Sequence, residues 1–311
     1  MNNPPAYDVI AAGELLVDMI GDQSGVSLED TKNFSRYKGG STANLANNLN
    51  LLGKKTALVA SVGNDGLGKF LVQSVKQTGL DSSHIRVING CRTSLILVSK
   101  STGTPDFLAY RCADFQFIPS QLPDDLLSNA KIFHTTCFAL SQSPAQEVIL
   151  TSAKRAHGFG ARLSIDLNYA PEIWPDRESA INIVKEYCAL GALVKISKDD
   201  HTRLFGIGPA EDSITSLLDF GASKVCLTLG KEGCKTASAT NPKIRYFPVP
   251  KTEISGDSTG AGDAFWSGFL AGYLDGQSTE ECVKAGINVS AIKLKQTGQL
   301  SEAINISKIY K

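Results

Sequence analysis

Neither charge sign dominates this chain of 311 residues: 31 Lys and Arg face 31 Asp and Glu, for a formal net charge of zero. Without a net field, bulk electrostatics recruits neither nucleic acid nor an anionic membrane, and no partner of either kind is expected. No stretch approaches the roughly 20 apolar residues of a membrane span. Met1 to Tyr7 holds neither the basic segment nor the apolar run of a secretory signal. These absences predict a soluble, cytoplasmic protein, and they argue against use of the glycosylation sequons at Asn33, Asn288 and Asn305. Seven cysteines contain no C-x-x-C pair, so the expectation is mostly buried thiols in a reducing compartment, not a disulfide framework.

Other absences narrow the chemistry. His84, His134, His157 and His201 have no metal-ligand spacing, so a metal held mainly by protein side chains is not expected. No G-x-G-x-x-G follows the first strand-like run, which argues against a dinucleotide-dependent oxidoreductase. Gly63 to Lys69 does satisfy G-x-x-x-x-G-K, but Phe70 stands where a phosphate loop needs Ser or Thr for magnesium. A tight strand-to-helix turn is the expectation there. Repeats, low-complexity tracts and Pro/Ser-rich linkers are missing too, so any second part must be interleaved in sequence with the first.

What is present is an alternation of short β-rich runs and amphipathic segments. Strands are predicted at Val9–Gly13, Thr56–Val62, Ile132–Thr136, Leu163–Leu167, Leu193–Ser197 and Val225–Leu229. Such alternation predicts an α/β fold with a mostly parallel sheet and ligands at the carboxyl ends of its strands. Leu45, Leu49 and Leu52 mark a helix stopped by Gly53, and Ser278-x-x-Glu281 reads as a capping box. Two segments, about 15–36 and 91–111, lack long helical patterns and read as strands and turns that could pair into a small sheet, suited to a lid that excludes water.

Residues 255–276 carry the chemistry. Phe265, Phe269 and Tyr273, with Leu270 and Leu274 beside them, recur at three- and four-residue intervals, which predicts a helix starting near Gly260. Amides in its first turn lack intrahelical partners, and the aligned peptide dipoles add roughly half a positive charge. Phosphate oxygens suit such a place. Gly260, Ala261 and Gly262 allow close approach, and the carboxylate of Asp263 could take a hydroxyl proton beside them. Earlier, Lys38-Gly39-Gly40-Ser41-Thr42-Ala43-Asn44 opens the first helix with two glycines and an amide side chain, and Asp18 is an acceptor-only group suited to sugar hydroxyls. Polar groups also stand at three successive strand ends: Asp166 with Asn168, Lys195 with Ser197 and Asp200, and Thr228 with Gly230 and Gly233.

Together these segments, over nearly the whole chain, resemble the ribokinase or phosphofructokinase B family of carbohydrate kinases, most specifically through Asp257-Ser-Thr-Gly-Ala-Gly-Asp263. The resemblance implies a ribokinase-like three-layer α/β/α fold spanning residues 1–311, with a β-sheet lid that often mediates homodimerisation. It implies transfer of a phosphoryl group from ATP to a sugar hydroxymethyl group with Mg²⁺ and often K⁺. By likeness, Asp263 is the base and Gly260, Ala261 and Gly262 hold the phosphoryl charge. Asp18, Gly39, Gly40, Asn44, Arg111 and Asn168 face the sugar, and Lys195, Ser197, Thr228, Gly230, Gly233 and Asn288 line the nucleotide. Asp200 serves Mg²⁺ through water, and Asp257 with the backbone near Gly298 holds the monovalent ion. Within the family, Phe107–Arg111, Asp166-Leu-Asn168 and Ile173-Trp174-Pro175 look most like fructokinases and 2-keto-3-deoxygluconate kinases. Both commonly carry an Arg where this chain has Ala170, a loss that favours a neutral ketose, fructose first, over a sugar acid. A sugar or nucleotide sensor without turnover is the alternative from another class; the intact Gly-Ala-Gly-Asp argues against it.

Overall fold

The computed structural model describes residues 6–100, 106–250, 258–296 and 298–310. Along the chain these form β1 (Tyr7–Ala12), β2 (Leu16–Ser24), β3 (Phe34–Gly39), α1 (Ser41–Leu51), β4 (Thr56–Gly63), α2 (Gly66–Gln77), β5 (Ile85–Ile88), β6 (Leu95–Lys100) and β7 (Phe107–Tyr110). Then follow α3 (Asp124–Leu127), β8 (Ala130–Thr136), α4 (Cys137–Leu140), α5 (Ala145–Gly158), β9 (Arg162–Asp166), α6 (Arg177–Cys188), β10 (Leu193–Ser197) and α7 (Lys198–Phe205). The last elements are α8 (Asp212–Asp219), β11 (Lys224–Thr228), β12 (Cys234–Ser238), β13 (Asn241–Phe247), α9 (Ala261–Leu274) and α10 (Thr279–Lys293). The fold is α/β, with a mostly parallel main sheet and a smaller four-stranded one. The chain divides into two compact units, Met1–Gly13 with Ile118–Lys251 and Glu14–Phe117 with Thr252–Lys311.

In the first unit, β11, β10, β9, β8 and β1 run parallel in that spatial order. Their sequences read as nearly continuous apolar runs because both faces are covered: Val9, Ile10, Leu163, Ile165, Val194, Ile196 and Val225 are all fully buried. All six predicted strands form, within three residues at either end. The register aligns Thr136 with Asp166, Asp166 with Lys195, and Ser197 with Thr228, so the polar strand ends gather along one edge. An antiparallel hairpin, β12 and β13, extends this sheet beyond β11; nothing in the sequence pattern announced it.

In the second unit, β4 and β5 pair in parallel, and the smaller sheet has the order β3-β2-β6-β7. Its strands fall largely on the two segments expected to form it, although residues 101–105 of the second lie outside the described residues. Helix α9 was expected to bury one face. It buries every residue from Asp263 to Gly272, which its nearly all-round apolar sequence accounts for. A Cβ at Gly268 would stand 2.5 Å from the carbonyl oxygen of Ala285 in α10, so the two helices pack as closely as backbone allows. Ser278 and Glu281 form the expected capping box at the start of α10.

The cysteine expectation holds for most of the thiols and fails for one pair. Five thiols are free and buried, but Cys91 and Cys112 form a disulfide with Cα atoms 6.0 Å apart. The antiparallel pairing of β6 with β7 sets Leu95 opposite Tyr110, so the residues just before one strand and just after the other are brought within bonding reach.

Candidate active site

Helix α9 starts without a side-chain cap. Gly260 stands at its N-cap in the left-handed region at φ 77°, a conformation that side chains with a Cβ rarely adopt. Here space is not the constraint: an added Cβ would meet Asn44, Asp263 and Lys293 only at ordinary van der Waals distance. One amide differs from expectation. Ala261 N–H donates to the Ser258 carbonyl at 3.2 Å, so within this turn only Gly260 and Gly262 keep amides with no partner among the described residues.

Asp263 follows three positions into the helix and is buried. Ser41 Oγ donates to its Oδ1 at 2.7 Å, and Asn44 Nδ2 donates to its Oδ2 at 2.8 Å. Both donors come from the first turn of α1, three residues apart and therefore on one helix face. Ser267 Oγ donates to the Asp263 carbonyl at 2.6 Å. The result is an ionisable oxygen pair fixed in direction beside a turn with two free amides.

A small pocket in the same unit is lined by Asp18, Tyr37, Lys38, Asn44, Gly260 and Lys293, among others. Asp18 lies on β2, where its carboxylate fills the space that a Cβ at Gly39 would need. That contact explains the first glycine of the pair; Gly40 caps α1 at φ 98°. Glu14 holds the start of α1 through Thr42: its carboxylate accepts from the Thr42 hydroxyl at 2.8 Å and from the amide at 3.3 Å. Asn44 Oδ1 is buried without a hydrogen-bond partner among the described residues, which leaves an acceptor at the pocket wall. Arg111 does not line this pocket. It is held by Asp114 at 2.6 Å, with only 6% of its side chain exposed.

The residues expected at the nucleotide, Asn288 apart, lie in the first unit. Lys195 on β10 is buried and ion-paired with Asp166 at 3.0 Å. Ser197 caps α7, its hydroxyl accepting from Asp200 N while Asp200 accepts from Ser197 N and Oγ. Burial raises the Asp200 carboxyl above its ordinary value, with Lys195 and the Ser197 bonds opposing. Thr228 ends β11, and Gly230 and Gly233 bracket the turn that follows. Asn168 accepts from Phe138 N at 3.0 Å. Asn288, on α10 of the second unit, donates to the Ile309 carbonyl at 3.0 Å. His134 and His201 are buried as expected for core histidines, His134 falling to about 3 through burial and then the nearby Lys195 charge.

No cluster of three or more potential metal ligands exists among the described residues. Asp200 Oδ2 is engaged by the α7 cap, accepting from Ser197 N and Oγ. For the monovalent ion, Asp257 lies outside the described residues. Near Gly298 the Gln296 carbonyl accepts the buried Lys293 ammonium at 3.2 Å.

Comparison with known sequences agrees with this layout. The profile described as pfkB family carbohydrate kinase matches residues 7–304. The chain belongs to the pfkB family of carbohydrate kinases. Among pfkB relatives, ATP-dependent 6-phosphofructokinase of Thermoanaerobacterium thermosaccharolyticum is 35% identical over 304 residues, 97% of this chain and 92% of the relative. The structure of Halothermothrix orenii fructokinase superposes with a TM-score of 0.80 at 34% identity, covering 91% of this chain and 98% of that one. Fructokinase from Xylella fastidiosa with bound ATP gives 0.82 at 25% identity, covering 97% and 96%. ATP-dependent phosphorylation of a sugar is thus the activity of this pfkB fold. Sequence pattern assigned no role to Ser41, which holds Asp263, or to Lys38 and Lys293, which line the pocket. Ser41 and Lys38 flank the glycine pair, while Lys293 carried no local signal.

Proposed function

We propose that this pfkB protein transfers the γ-phosphoryl group of ATP to a hydroxymethyl group of a ketose built on the fructose skeleton. The observation that carries the reading is Asp263, buried and held by Ser41 and Asn44 beside the free amides of Gly260 and Gly262. The acceptor hydroxyl would give its proton to Asp263, whose two bonds fix the carboxylate for that transfer. The amides of Gly260 and Gly262 face charge that develops on the transferring group, each such donor being worth about 10²–10³ in rate. Asp18, Gly39, Gly40 and Asn44 would orient the sugar, and Lys195, Ser197, Thr228, Gly230 and Gly233 the nucleotide. Magnesium, when bound, neutralises phosphate oxygens; Asp200 is the carboxylate assigned to its waters. The small sheet exposes Leu108 and Tyr110 on β7, which supports a role as lid and homodimer surface.

Two relatives named for enzymes of the fructose skeleton, one a fructokinase and one a 6-phosphofructokinase, support the ketose. The test is ADP release from ATP with magnesium over a panel of ketoses, aldoses and sugar acids. A ketose is expected to give the highest kcat/KM, with the phosphate found on a hydroxymethyl oxygen. A sugar that binds but is never phosphorylated would favour a sensor instead.

A further inference from the structure

Lys38 is the unusual charge of the acceptor pocket. It stands on β3 directly before the glycine pair, is only 6% exposed, and lines the pocket together with Asp18, Asn44 and Gly260. Its ammonium has three donors but makes one hydrogen bond, to Asn47 Oδ1 at 3.2 Å. Asn47 is itself fixed as an acceptor there, because its Nδ2 donates to the Leu300 carbonyl at 2.9 Å. Among the described residues no carboxylate stands within ion-pair distance of Lys38, although Asp18 and Asp263 belong to the same region. Burying an ammonium without a counter-charge is costly, and natural interiors pair such groups or bind an ion with them.

We propose that Lys38 receives an anionic substituent, a phosphate or a carboxylate, carried by the acceptor sugar. This rests on the ketose-kinase reading and sharpens it: the preferred acceptor is a charged derivative, not the neutral ketose that the absence of Arg at position 170 suggested. The cation is then Lys38 on β3. Asn44 Oδ1, buried without a partner among the described residues, offers an acceptor to a hydroxyl of the same sugar, so neutral and anionic recognition use different groups of one pocket.

The test compares fructose, fructose 6-phosphate and 2-keto-3-deoxygluconate as acceptors for the full-length protein, the last two separating phosphate from carboxylate. One anionic sugar is expected to exceed fructose in kcat/KM by at least tenfold. In Lys38→Gln that ratio is expected to fall at least tenfold, while Lys38→Arg keeps it within about threefold. Fructose preferred by the wild type, or a ratio unchanged in Lys38→Gln, would overturn the proposal even if the protein phosphorylates fructose well. Should Lys38→Gln not fold, the wild-type preference decides. Should no sugar be phosphorylated, the kinase reading fails, and calorimetric titration with the same three sugars decides separately: anionic binding less than tenfold tighter than fructose rejects the role of Lys38.

Discussion

At the scale of single residues, two side chains of α1 do what the base requires. Ser41 and Asn44 hold the two oxygens of Asp263 from one helix face, so Ser41→Ala should free one oxygen and let the carboxylate rotate. The expected result is a fall in kcat of about tenfold with a melting temperature within a few degrees of wild type. Equal kcat would mean that Asn44 alone positions the base. Lys38 makes a different prediction. Burial lowers its ammonium from the ordinary 10.5 to about 8, so between those values the unfolded chain binds more protons than the folded one, and folding stability rises with pH across that window. Wild type measured against Lys38→Met should therefore gain about 2 kcal/mol between pH 7 and pH 10 in denaturant titrations. A flat difference would show that Lys38 is not buried as an ammonium. Asp263 and the glycines around it were legible because their types and spacing are local. Lys38 was not, since its isolation comes from Asn47, Leu300 and the pocket wall, none of which its own neighbourhood announces.

At the scale of elements, the parallel strands were readable for a physical reason: buried on both faces, they became short apolar runs between turns. The β12–β13 hairpin escaped because β13, Asn241–Phe247, is exposed along most of its length and carries no alternation to detect. The α9–α10 contact was half legible. Aromatic spacing marked α9, but Gly268 and Gly286 gained meaning only once their missing Cβ atoms were seen to admit Ala285 and Phe265 backbone. Gly268→Ala should therefore overpack this contact and cost about 1–3 kcal/mol of stability despite a better helix propensity, measurable by chemical denaturation. A stabilised variant would show that the helices can part without cost. Because α9 also presents Asp263, the same variant should lower kcat in proportion to any displacement of its first turn.

For the whole molecule, the alternation of strand and helix patterns anticipated the α/β fold; among the described residues no helix is long and apolar enough to cross a membrane. Five buried thiols match the expectation, but the Cys91–Cys112 bond was not legible, because a pair 21 residues apart joined by a returning strand leaves no spacing signature. Titration of the unfolded protein without reductant should find five reactive thiols, and seven after reduction; seven in both would remove the Cys91–Cys112 bond from the native protein. Substrate identity depended least on pattern. A missing Arg at 170 pointed one way and an unpaired Lys38 the other, and only the buried geometry ranks them. The account as a whole turns on Asp263 as the base. The most direct measurement is steady-state ADP release by Asp263→Asn with the best acceptor, alongside calorimetric titration of that sugar: turnover should fall by about 10² or more while the sugar Kd changes less than about threefold. Turnover within tenfold of wild type would contradict it.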